Sequence, residues 1–164
     1  VAGWPAVREG YLDWLAKHEA AGAVFESAES DHGTELGTLK LAGRIDRIDR
    51  LADGTAMVMD YKTEALQATR DRMKDPLEDT QLAFYALLLP GEPLEAAYLN
   101  IGGRGEVKAV PHEALDQAAH LLKEALQSEM RRIALGAPLP ALGEGRVCEF
   151  CAARGLCRRD AWSD

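Results

Sequence analysis

The chain has no apolar run long enough to cross a bilayer. Its most hydrophobic stretch, "QLAFYALLL", is cut off by Pro90, well short of the roughly 20 residues a spanning helix needs. It also lacks an excess of positive charge, since 19 Lys and Arg stand against 27 Asp and Glu for a net charge of −8. Overall charge therefore cannot be what grips a polyanion, although carboxylates that hold cations remain open to the chain. Cysteine is scarce: the three present all fall within the last 17 residues. An odd, local cluster makes a poor disulfide framework and a better partial metal or cluster site in a reducing compartment, which suggests a cytoplasmic protein. The first residue is Val1, and "VAGWPAVREGYLDWL" has neither a basic leader nor a continuous apolar one, so a fragment cut from something longer is expected. No internal repeat or low-complexity segment is present. At 164 residues there is enough chain for one ordinary domain with a core.

Apolar spacing predicts a helix over 5–21, stopped by Gly22, then a short strand over 23–28 and a polar turn rich in Ser, Asp, His and Gly. Two long strands follow, 38–51 and 55–62, then a charged segment over 63–79 with a helical turn or two. A strongly apolar helix covers 79–89, with Pro90-Gly91 as its stop. Residues 94–110 read as a hairpin turning on Gly102-Gly103-Arg104-Gly105. A long amphipathic helix opens at Pro111, its inner stripe running from Leu115 through Ala118, Leu122 and Leu126 to Met130 and Ile133. This order implies an α/β domain in which helices flank a mixed central β-sheet. Residues 1–143 are expected to form the core, without its N-terminal helix, and 144–164 a cysteine-bearing segment packed on it.

The 38–62 region carries the chemistry. Ala52-Asp53-Gly54 fits a three-residue hairpin loop with glycine in the left-handed slot. Closing there pairs Leu51 with Thr55 and, counting back, Asp46 with Asp60. Opposed residues have Cβ atoms about 4.5–5.5 Å apart on one face, and Lys62, two positions on, shares that face. A two-residue loop would instead turn Asp46 away. Opposed aspartates repel unless a cation lies between them. Hard oxygens suit magnesium and manganese, whose retained waters can serve as nucleophiles. Lys62 could then stabilise charge on an attacked phosphate, and the Tyr61 carbonyl could add one oxygen. The plainer alternative is that the alternating Arg and Asp of "GRIDRIDR" form an ion-paired, solvated strand face. Against it, Met57, Val58 and Met59 make the second strand apolar on both faces, as in a covered central strand.

"GRIDRID", then "DYKT", then "QLAFY", then "CEFCAARGLCR" in that order resemble the PD-(D/E)XK nuclease superfamily, specifically its RecB- and AddB-like exonuclease branch. The resemblance implies a restriction-endonuclease-like fold. It makes Asp46 and Asp60 metal ligands, Lys62 the catalytic lysine, and Gln81 and Tyr85 a Gln-x3-Tyr pair on one helical face. Glu26 sits where such proteins often carry a strand glutamate and is a further candidate ligand. His18 lacks the pattern around the branch's helical metal-binding histidine and reads as a surface residue. Cys148, Cys151 and Cys157 match three of the four cysteines that hold a [4Fe-4S] cluster in that branch; zinc is the rival occupant. Arg146, Arg154, Arg158 and Arg159 add a local basic spot. The implied activity is that of a Mg2+- or Mn2+-dependent deoxyribonuclease, part of a larger helicase-nuclease with DNA as substrate and a helicase as partner. The fragment alone could be inactive. The alternative is a nuclease-like module kept for DNA binding or subunit assembly.

Overall fold

In the computed structural model, residues 3–74, 79–138, 148, 151–153 and 156 are described. Helix α1 (Trp4–Ala20) begins with Pro5 in its first turn and is followed by strands β1 (Val24–Leu36), β2 (Leu39–Arg50) and β3 (Ala56–Lys62). A short helix α2 (Leu66–Asp71) and the apolar α3 (Gln81–Leu88) precede the hairpin β4 (Leu94–Ile101) and β5 (Val107–Pro111), and α4 (Leu115–Ala134) follows. The five strands lie in chain order in one sheet. Every neighbouring pair is antiparallel except β3 and β4, which are parallel, with α2 and α3 on the connection between them. A parallel pair needs such a crossover. The expected mixed sheet with flanking helices is present.

Two sequence expectations give way. The polar stretch after residue 28 is not a turn: β1 continues through Ser30, Asp31, His32 and Gly33, paired with β2 as far as Leu36 opposite Leu39. Its polar side chains find partners across or along the strand, Arg44 gripping both Asp31 oxygens at 2.9 and 3.1 Å and Ser30 bonding His32 at 2.8 Å. Long-range pairing overrides the local turn chemistry, and the chain reverses instead at Gly37, whose φ of 65° suits glycine. Pro111 likewise closes β5 rather than opening α4.

The core lies between the sheet and α3. Leu82, Tyr85 and Leu88 of that helix meet Leu41, Ile45, Ile48, Ala56, Val58, Ala96 and Tyr98 of the strands, with Leu115 of α4. Fully burying one such side chain contributes about 1.5–3 kcal/mol. β3 is the middle strand, and Ala56, Val58 and Met59 are wholly buried, as its two-faced apolar pattern implies. In α4, Leu115 and Ala118 are buried and Leu126 packs against the core, whereas Met130 is exposed. The chain divides into two compact units, Val1–Gln127 and Ser128–Asp164. Most of 144–164 lies outside the described residues.

Candidate active site

The hairpin closes in the register counted from the sequence. Gly54, with φ of 88°, donates its N–H to the Leu51 carbonyl at 2.9 Å, and the Leu51 N–H reaches Thr55 O at 2.9 Å. The ladder then runs from Arg50 opposite Ala56 to Arg47 opposite Met59. Asp46 and Asp60 stand next in that register, just beyond the last paired residues. There Asp46 departs from plain strand pairing, its Oδ2 accepting the Tyr61 N–H at 3.2 Å. Strand alternation puts Asp60 and Lys62 on one face and Tyr61 on the other.

Helix α3 supplies the rest of the patch. Its spacing of four brings Gln81 and Tyr85 onto one flank, and both reach Asp60. Gln81 Nε2 donates to Asp60 Oδ1, and so does the Tyr85 hydroxyl, at 3.3 Å. Lys62 Nζ donates to Gln81 Oε1 at 2.7 Å and lies 4.7 Å from the centre of the Tyr98 ring. It also stands 2.6 Å from Asp60 Oδ2. That oxygen is buried and takes no aligned hydrogen bond, so the contact is one of charges. Five of the expected site residues, Asp46, Asp60, Lys62, Gln81 and Tyr85, are therefore brought together.

The electrostatics favour an added positive charge. Burial pushes the Asp60 carboxyl above its ordinary value and the Asp46 carboxylate pushes it further, while Lys62 pulls the other way. The Tyr85 hydroxyl is raised to about 12, chiefly by burial, with Asp46 and Asp60 adding to the shift. It thus stays protonated and able to donate. Among the described residues no group of three or more His, Cys, Asp or Glu converges as a metal cage. Two neighbouring carboxylates, one with a buried oxygen met only by the Lys62 ammonium, still fit a hard cation that keeps most of its waters, because magnesium is commonly held by one or two carboxylates. A groove of about 570 Å³ opens beside the patch, at the ends of β3 and β4 and the loop after β4, lined by Thr63, Glu64, Asn100, Gly102, Arg104 and Lys108.

Other expected residues do not join. Glu26, on β1, is bound to Arg50 at 2.6 Å, at the end of β2 beyond Asp46. Cys148 and Cys151 are free thiols in a single turn, the Cys151 N–H donating to Cys148 O at 3.4 Å. Cys157 and the arginines 146, 154, 158 and 159 lie outside the described residues.

His18 corrects its reading as a surface residue. Its Nε2 lies 2.9 Å from Asp49 Oδ2, and its ring stacks on Trp14 with centroids 4.9 Å apart. Asp49 and Arg47, expected on a solvated face in the plainer reading of "GRIDRIDR", are 0 % and 6 % exposed. Sequence reasoning also missed a second cluster, in which Tyr98 donates to Asp79 at 2.6 Å and Arg72 binds both Glu64 and Asp79. One signal for the first cluster was available: Tyr11, Trp14 and His18 recur at 3 and 4 residues on α1, a single helical face.

No curated protein matches the chain. Among solved structures it resembles a crystal structure from Eubacterium rectale described as a candidate exonuclease, with a TM-score of 0.51 at 16 % identity, over 95 % of this chain and 61 % of that one. The sheet and its helices thus have the restriction-endonuclease-like fold, and this chain spans about three-fifths of its structural relative. The model of the PD-(D/E)XK nuclease superfamily matches residues 1–158, and the chain belongs to that superfamily.

Proposed function

We propose that this domain is a Mg2+- or Mn2+-dependent DNA exonuclease within a larger RecB- or AddB-like helicase-nuclease. The observation that carries this reading is the convergence of Asp46, Asp60 and Lys62 under Gln81 and Tyr85. Nucleases of this superfamily generally use divalent cations. Asp46 and Asp60, with the Tyr61 carbonyl, would hold one here, and when bound it would supply Lewis-acid activation of the phosphate and of the attacking water.

The chain's own residues do the remaining work. Lys62 presents its ammonium to the charge that develops on the phosphate oxygens, and Gln81 fixes its aim by accepting a hydrogen bond from it. Gln81 and Tyr85 both donate to Asp60 Oδ1, so Oδ2, now paired with the Lys62 ammonium at 2.6 Å, is the oxygen a cation would share. The groove by Thr63, Arg104 and Lys108 offers a place for the DNA strand next to the reacting phosphate. Cys148, Cys151 and Cys157, with a fourth thiolate this chain does not contain, would hold the [4Fe-4S] cluster of the parent protein.

The test is cleavage of end-labelled DNA by the full-length protein with Mg2+ or with chelator. Asp60→Asn and Lys62→Ala should each lower the rate about 100-fold or more with the circular dichroism spectrum unchanged. A wild type that binds DNA but never cuts it would favour the non-catalytic module instead. Full activity in either variant would remove the assignment.

A further inference from the structure

The face of the sheet opposite Asp60 and Lys62 carries a partly buried polar chain that the proposed reaction does not use. It starts at His18 on α1, bonded to Asp49, whose two oxygens accept from Arg47 Nε at 2.8 and 3.0 Å. Arg47 Nη1 donates to the Tyr11 hydroxyl at 2.7 Å, and that hydroxyl lies 3.2 Å from the Tyr61 hydroxyl. Aromatic rings shield the guanidinium, Phe25 at 5.3 Å and Trp14 at 5.9 Å from its carbon.

Stability alone gives little reason for such a chain. A buried ion pair is often no more stabilising than apolar side chains of the same volume, and burial opposes the charge on Arg47 before Asp49 and Tyr61 restore it. What the chain does is end on Tyr61. This residue lies between Asp60 and Lys62, and its own N–H is the hydrogen bond received by Asp46. Its side chain is thus gripped on one face while its backbone orients a carboxylate of the site on the other.

We propose that Tyr61 is a positioning residue for the nuclease site, holding the Asp46 carboxylate in place, and that Tyr11 and Arg47 act through it. The inference rests on the reading of Asp46 as a cation ligand. Outer-shell partners of metal ligands commonly matter in this way, their loss lowering metal affinity or activity about 10- to 100-fold.

Tyr61→Phe and Tyr11→Phe each remove one hydroxyl and keep the ring. In the full-length protein, Mn2+ binding is followed by electron paramagnetic resonance, alongside kcat, KM for DNA and Tm. Each variant should weaken Mn2+ binding about 10-fold and lower kcat with KM unchanged. The double variant should be no worse than the poorer single one, because both break the same contact. A merely structural role would lower Tm and leave Mn2+ affinity alone, and that outcome in Tyr11→Phe overturns the proposal even if Tyr61→Phe fails to fold. Asp46→Asn separates the two failures. If it abolishes Mn2+ binding while the tyrosine variants match wild type, only the positioning role is lost. If Asp46→Asn itself binds Mn2+ normally, the ligand assignment fails and the positioning role with it.

Discussion

Gln81 ties three side chains of the site together: it accepts from Lys62 and donates to Asp60 and to the Tyr85 hydroxyl. Gln81→Met keeps the length and removes both polar ends, which frees the Lys62 ammonium and deprives Asp60 Oδ1 of a donor. The expected result is about a 10-fold fall in kcat, with Tm shifted by no more than a few degrees. An unchanged kcat would make Gln81 a packing residue. At this scale much of the site was legible, because side-chain direction follows from period: two in β3 for Asp60 and Lys62, four in α3 for Gln81 and Tyr85. Glu26 and His18 were not, since each depends on a partner far away in sequence, Arg50 and Asp49.

Among the elements, the β2–β3 hairpin decides whether a site exists at all. Gly54 has open space around the position of a Cβ atom, so Gly54→Ala isolates the cost of placing a side chain at φ of 88°. That cost should be about 1–2 kcal/mol, seen as a lower Tm with the register kept. A loss much greater than this would mean that the turn fixes more than itself. The turn was legible because Ala52-Asp53-Gly54 fits a three-residue loop with glycine in the left-handed slot; the length of β1 was not, because pairing with β2 overrode its turn residues.

Helix α2 depends on side-chain anchors, six residues being too few to form a stable helix alone. Thr69 is buried against Asn100 of β4, and Arg72 ties Glu64 to Asp79. Hydrogen bonds from Arg72 hold the Glu64 carboxyl below its ordinary value. A carboxyl lowered on folding contributes stability above its unfolded pKa, and that contribution is lost as pH falls through the folded one. Arg72→Gln removes the cause. Thermal melts between pH 6 and pH 3 should therefore show a shallower acid loss of Tm in the variant than in wild type. Parallel curves would show that the half-buried ion pair contributes nothing.

For the molecule as a whole, a net charge of −8 has to be reconciled with the polyanionic substrate we propose for it. The two carboxylates of the site are part of that negative charge, and a divalent cation between them would turn a local repulsion into an attraction for phosphate. DNA binding should accordingly be weak in chelator and rise with Ca2+, a gain that Asp60→Asn would largely remove. Anisotropy of labelled DNA measures both. The architecture was readable from element order, because strands and helices of these lengths permit few mixed sheets. The buried Arg47–Asp49 pair was not, because an alternating charged strand looks the same in sequence whether a helix covers it or water does.

The most direct measurement is an anomalous difference map from crystals soaked in Mn2+. A peak within coordination distance of the Asp46 and Asp60 carboxylates is the expected result, absent in crystals of Asp60→Asn. Manganese bound elsewhere in the fold, with nothing between the two aspartates, would contradict the account.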